Sequence, residues 1–147
     1  MIINTCSGAI SLARDLEEKS AKFYTDLAQR FPENKDLFLS FVKENNAYIT
    51  QVERAYYSVI TDAIEGCFAF NLNAENYVLE TEVGENEGYG KTLDRALKME
   101  ETIIKFYFDA ADQSKSLMAD VPRAFRFVAK KRSSRQAMLK SMLEKQG

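Results

Sequence analysis

LARDLEEKSAKFYTDLA, at residues 12–28, is matched by LDRALKMEETIIKFYFDAA, at residues 93–111 of the same chain. An offset of 83 residues aligns Glu17 with Glu100 and aligns the shared Lys-Phe-Tyr at 22–24 with that at 105–107. Further along each half, an offset of 87 aligns Phe38 with Phe125. Amphipathic helices resemble one another in composition, but the shared Glu-to-Tyr spacing favours a true duplication of one helical hairpin.

Apolar residues recur with the three- and four-residue spacing of a helix face in four long segments. Ser7 is the predicted N-cap of the first segment, and Pro32 lies just beyond its end. Gly66 is placed to stop the second segment, and Pro122 fits the first turn of the fourth. The predicted helices span about 7–30, 34–65, 91–113 and 121–145.

The stretch at 67–90 interrupts this pattern. It contains five glutamates and three of the six glycines but no lysine or arginine, and it is too long for a tight helix–helix turn. We interpret it as a crossover with a short helical turn near 74–79. Short, long and short connections predict an all-α four-helix bundle of two hairpins, in one domain of residues 1–147. Two splayed hairpins are the alternative.

The composition excludes several classes of protein. The net charge of −2 gives no overall argument for nucleic-acid binding, and the short apolar runs predict no membrane span. Cys6 and Cys67 form no disulfide framework, which predicts reduced thiols in a cytoplasmic protein. The chain has no histidine, so the usual general base and the commonest metal ligand are missing.

The sequences EEKSAKFY and EETIIKFY resemble the rubrerythrin branch of the ferritin-like superfamily, whose first and third helices carry a Glu followed by a Phe-Tyr pair. The resemblance covers nearly the whole chain, without the CxxC rubredoxin module that rubrerythrins often add. It implies a ferritin-like bundle, and it also implies pairing of bundles into a homodimer.

In that family, two glutamates and two Glu-x-x-His pairs bind two iron ions in the bundle core. Transferred by resemblance, the two glutamates survive as Glu17 and Glu100. The first Glu-x-x-His becomes Asn45-x-x-Tyr48, and the second becomes Arg132-x-x-Arg135. Arginine offers only hydrogen-bond donors and stays charged, so it cannot be a metal ligand. Shifting the register of either helix does not restore the set, although Glu44 would return one carboxylate. We therefore predict no metal or other cofactor.

The six positions predict a polar core instead. Glu17 and Glu100 fall on apolar stripes, and a buried carboxylate needs a partner. Arg132 and Arg135 fall at the matching depth, so we predict that the four charges pair, with Asn45 and Tyr48 supplying hydrogen bonds. The alternative is that both arginines extend to solvent along buried stems.

The sequence is compatible with three functions. We expect a non-catalytic binding or scaffold protein that has lost its diiron site and needs no nucleic acid or membrane. The alternatives are a diiron or dimanganese oxidoreductase with atypical ligands, and a binder of small anionic or zwitterionic ligands. The basic fourth helix is expected to be solvated or to dock on the acidic crossover.

Overall fold

The computed structural model describes residues 1–59, 70–114 and 120–146. Within these residues the chain forms an all-α bundle of four long helices, as the sequence predicts. The helices are α1 (Cys6–Arg30), α2 (Lys35–Val59), α3 (Tyr89–Gln113) and α4 (Asp120–Gln146). The predicted end of the second helix at residues 60–65 and its stop at Gly66 lie outside the described residues.

The start of α1 differs from the prediction. Thr5, not Ser7, is the N-cap, and its hydroxyl accepts a hydrogen bond from the backbone N–H of Gly8 at 3.1 Å. The helix therefore includes Ser7 in its first turn. Gly8 is placed where the chain folds back, because a Cβ atom there would lie 2.9 Å from the side chain of Ile3.

Pro32 begins a single 3-10 turn, Pro32–Asn34, that joins α1 to α2. The predicted start of the second helix at Asn34 thus falls within this turn, and α2 begins one residue later. Phe31 packs edge-on against Tyr89 at the start of α3, with ring centroids 4.9 Å apart. This contact holds the α1–α2 turn against the second half of the bundle.

Residues 70–88, named the strap here, connect to α3, which begins at Tyr89 rather than near Lys91. The strap contains two features, a 3-10 turn at Ala74–Tyr77 close to the predicted helical turn and a strand that the sequence did not predict. This strand, β2 (Leu72–Asn73), pairs antiparallel with β1 (Ile2–Ile3). The N-terminus therefore anchors the start of the strap.

The strap lies along α1 and α3. The Arg30 guanidinium donates to the backbone carbonyls of Val83, Gly84 and Glu85. On the α3 side, Arg95 binds the Glu87 carboxylate through two nitrogens, at 2.8 and 3.2 Å. Of the two alternatives for the basic fourth helix, the described residues fit the solvated face, because the arginines that bind the strap belong to α1 and α3 and no described ion pair joins α4 to it.

The two hairpins, α1–α2 and α3–α4, pack with α1 against α3 and α2 against α4. Aromatic pairs repeat between the halves. Tyr24 and Phe38 have ring centroids 6.2 Å apart, and their counterparts Tyr107 and Phe125 show the same separation. The internal repeat of the sequence is therefore visible as matching aromatic contacts, although the ring planes are inclined by 16° in the first pair and by 43° in the second. Among the described residues, no helix is long and apolar enough to cross a membrane.

Candidate functional site: a buried ionic network

Four charged side chains meet in the centre of the bundle, and all are buried: Glu17 on α1, Glu100 on α3, and Arg132 and Arg135 on α4. Each lies near the middle of its helix, on the face whose buried residues are mostly apolar. The predicted cluster of these four residues is confirmed. The alternative, that the arginine heads reach solvent, is wrong, since Arg132 is 0% exposed and Arg135 is 3% exposed.

Arg132 lies between the two carboxylates. Its Nη2 and Nε bind Glu17 Oε1 and Oε2 at 2.7 and 3.1 Å, in a bidentate arrangement. Its Nη1 binds Glu100 Oε1 at 2.5 Å. The planar guanidinium fork matches this geometry, which a lysine ammonium cannot reproduce. One side chain thus bridges α1, α3 and α4.

Arg135 completes the charge balance and extends the network towards the surface. Its Nη1 lies 3.6 Å from Glu100 Oε2 and donates to Asn45 Oδ1 at 2.8 Å. Its Nη2 binds the Phe41 carbonyl at 3.1 Å and Glu44 Oε1 at 3.3 Å. The Glu44 side chain is 48% exposed, so this ion pair is the solvent-facing end of the network.

Aromatic faces enclose the Arg135 guanidinium. Its central carbon lies 4.5 Å from the Phe41 ring centroid, 5.2 Å from that of Tyr24 and 5.6 Å from that of Tyr48. Cation–π attraction replaces part of the hydration that burial removes. Within the described chain, Nε of Arg135 is the one buried side-chain nitrogen or oxygen without a hydrogen-bond partner.

Two tyrosines tie the halves together reciprocally. Tyr24 on α1 donates to Glu100 on α3 at 2.7 Å, and Tyr107 on α3 donates to Glu17 on α1 at 2.7 Å. The partners are exchanged by the same 83-residue offset that relates the repeats. Each half therefore supplies a donor for the carboxylate of the other.

Burial shifts the pKa values in this network. Burial, reinforced by the charge of Glu100, raises the pKa of Tyr24 well above its usual value, and the same causes, with Glu17, act on Tyr107. Burial alone would lower the pKa of Arg132, but the carboxylates of Glu100 and Glu17 outweigh it and raise that pKa well above the ordinary range. The tyrosines thus stay neutral donors, and Arg132 stays a cation.

The two halves differ at the network positions on α2 and α4, where aligned residues are of different types. Asn45, the counterpart of Arg132, accepts from both Arg132 Nη2 at 3.1 Å and Arg135 Nη1, and its own amide donates to Ser20. Tyr48, the counterpart of Arg135, does not contribute as predicted. Its hydroxyl makes no hydrogen bond to the described part of the chain, and its ring instead faces Arg132 at 5.7 Å. Cations thus come from one half only.

Sequence reasoning missed three members of the network: Ser20, the Phe41 carbonyl and the Glu44 side chain as a partner of Arg135. Ser20 lies three residues after Glu17, on the same helix face, and this spacing was the available signal. A backbone carbonyl leaves no such signal, because every residue has one.

The residues do not fit the two-iron site that the family resemblance implies. The Arg132 guanidinium occupies the position between Glu17 and Glu100 where a bridged cation would lie, and it already binds both carboxylates. Asn45 Oδ1 is directed at two guanidinium groups rather than left open. No group of three or more acidic, cysteine or histidine side chains in the described ranges is placed to hold a metal ion.

Comparison of the chain with protein-family models, with curated proteins and with solved structures finds no match in any of the three.

Proposed function

We propose that this protein is a ferritin-like bundle in which an ion-pair network stands in place of a diiron site, and that it serves as a non-catalytic binding or scaffold protein. The observation that carries the proposal is the position of Arg132, bonded to both Glu17 and Glu100 at the centre of the bundle. A tethered cation there supplies the charge neutralisation that metal ions supply in the family.

Chemical considerations favour a structural role for this centre. A general base or nucleophile must reach a substrate, yet both carboxylates are 0% exposed and already accept from arginine and tyrosine donors. Satisfied and enclosed groups of this kind fix the register of helices rather than perform chemistry. The cytoplasm remains the proposed compartment, on the evidence of the two cysteines without a disulfide framework.

The proposal is tested by comparing metal uptake of the native chain with that of a restored variant. The variant Asn45→Glu, Tyr48→His, Arg132→Glu, Arg135→His rebuilds the ligand pattern that the resemblance implies. Both proteins are expressed in medium rich in iron, manganese and zinc, and the bound metal is measured by elemental analysis, with helical content checked by circular dichroism.

We expect no stoichiometric metal in the native chain and about two equivalents of iron in the restored variant. Two equivalents of iron in the native chain would refute the proposal and favour the oxidoreductase alternative. Metal in neither protein, with the variant folded, would refute the ferritin-like ancestry and leave the ion network as an independent feature.

A further inference from the structure

The exposed face of α4 is strongly basic. Of the 20 lysines and arginines in the chain, eight lie on this helix, against two of the 22 acidic residues. Arg132 and Arg135 are buried in the ionic network, and Arg123 pairs with Asp120 at 3.6 Å. Five exposed cations are left without an ion pair in the described chain, and these are Arg126, Lys130, Lys131, Lys140 and Lys145.

The internal repeat shows that this charge is not a general property of the fold. The counterpart of α4 is α2, and its sequence carries three basic and three acidic residues. Lys43 aligns with Lys130, but Glu44 aligns with Lys131 and Glu53 with Lys140. Two helices that the repeat aligns therefore present a balanced surface in one half and a cationic surface in the other.

Apolar side chains accompany the cations. Phe127 is 41% exposed and Met138 is 47% exposed. The residues 127, 131, 134 and 138 follow the spacing of one helical stripe, so both apolar groups lie on the basic face. A face that combines cations with exposed apolar groups fits a protein surface better than a bare phosphate backbone.

The strap presents the complementary surface. Glu75, Glu80, Glu82 and Glu85 are exposed, residues 70–88 contain no lysine or arginine, and Val78 is 69% exposed. Glu75 lies 3.5 Å from the N-terminal amine and Glu80 lies 3.9 Å from Arg95, whereas Glu82 and Glu85 have no ion pair in the described chain. The strap lies along α1 and α3, whereas α4 packs against α3 and α2. Among the described ion pairs none joins α4 to the strap, so the two surfaces of one chain do not neutralise each other.

We propose that the basic face of α4 docks on the acidic strap of a second copy of this chain. The contact joins unlike surfaces, because the basic face of one copy meets the acidic strap of another, and it can close reciprocally in a two-fold pair or continue head to tail. Exposed ion pairs are individually weak and screened by salt, so the association is expected to be modest and to require low ionic strength. This inference does not depend on the proposed function.

A charge-exchange experiment tests this contact in the full chain. The first variant, Lys130→Glu with Lys131→Glu, makes the α4 face acidic. The second, Glu80→Lys with Glu82→Lys, makes the strap basic. Self-association of each protein is measured by sedimentation at low and high salt. Lys43→Glu with Arg54→Glu, on the exposed face of α2, is the matched control.

We expect the native chain and the α2 control to associate alike, and each reversed variant alone to associate about tenfold or more weakly. An equimolar mixture of the two reversed variants should regain association, because an acidic and a basic surface are again available. A mixture that stays monomeric would overturn the inference. A second outcome would also overturn the inference. In that outcome the native chain stays monomeric at low salt, and Lys130 and Lys131 are instead needed for binding to phosphatidylserine vesicles or duplex DNA.

Discussion

Arg132 is the residue on which the buried network depends most. Arg132→Met leaves Glu17 in the low-dielectric interior with the Tyr107 donor alone, and leaves Glu100 with the Tyr24 donor and the more distant Arg135 cation at 3.6 Å. Breaking a buried pair in this way is expected to lower the free energy of unfolding by roughly 3–5 kcal/mol, measured by urea denaturation. Lys131→Met, at the neighbouring exposed position, is the control and should change it by less than about 0.5 kcal/mol.

Replacement of the whole network by apolar residues is expected to lower the free energy of unfolding much less than removal of Arg132 alone. A variant with Glu17→Leu and Glu100→Leu, Arg132→Met and Arg135→Met, and both partner tyrosines changed to Phe removes all the charges and the tyrosine donors together. Of the network side chains that remain buried, Asn45 alone loses hydrogen-bond partners, because its Oδ1 accepts from both arginines. A double-mutant cycle measures the coupling energy between the glutamate pair and the arginine pair, and strong coupling would support the network as the structure shows it. Additive effects below 1 kcal/mol would instead show that the four side chains are solvated.

The two tyrosines that donate to the network carboxylates, Tyr24 and Tyr107, predict a distinctive titration. Because their pKa values are raised well above the usual tyrosine range, Tyr24 and Tyr107 should retain their protons until the protein unfolds. The folded-state pKa values are raised, so this contribution to stability is complete below about pH 10 and is lost as the pH rises further. Ultraviolet absorbance of tyrosinate measures this. Tyr24→Phe with Tyr107→Phe should remove two late-titrating groups, and an unchanged titration curve would contradict the assignment.

At the level of the helix, the N-cap of α1 is Thr5 in the structure, whereas the sequence pattern predicts Ser7. Thr5→Ala removes the side-chain acceptor of the Gly8 N–H and should lower the free energy of unfolding by about 1 kcal/mol. Ser7→Ala, at the position first expected to cap the helix, should change it by less than about 0.5 kcal/mol. Equal effects in urea denaturation would show that the cap is shared between the two hydroxyls.

The helices could be predicted because burial repeats with the helical period. Glu17 and Glu100 were placed in the core for the same reason, since each falls on an apolar stripe. The cap could not be chosen with the same certainty, because Thr5 and Ser7 are both good N-cap residues and only the turn from β1 decides between them. The strand pairing of β1 with β2 rests on contacts between residues about 70 positions apart, which leave no local pattern.

The sequence predicts at which level of the bundle each site residue lies, but not which contacts its side chain makes. Helical spacing fixes which face and which turn a residue occupies, and this brought Arg132 and Arg135 to the level of the carboxylates. It does not fix the path of a long side chain. The position of Tyr48 therefore predicts a hydrogen bond from its hydroxyl, whereas in the folded chain its ring faces the guanidinium groups of Arg132 and Arg135.

At the level of the whole molecule, the network joins two hairpins that the chain links through a long connection. Glu17 and Asn45 belong to the first hairpin, and Arg132 and Arg135 belong to the second. The halves therefore recognise each other through unlike charges. Two copies of the second hairpin would bring four arginines against two glutamates, so the asymmetry between the repeats favours pairing of unlike halves.

The acidic connection should be the first site of limited proteolysis. A glutamate-specific protease should cut first within 67–90, where Glu80, Glu82 and Glu85 are exposed and outside the helices, whereas backbone hydrogen bonds protect glutamates within helices. The two fragments should elute together in gel filtration and separate only under denaturing conditions, because the ion network and the shared core still join the hairpins. The same cut in Arg132→Met should give a complex that dissociates at lower urea concentration. An initial cut inside α3, or native fragments that elute apart, would show that the two hairpins are not organised around the network as described.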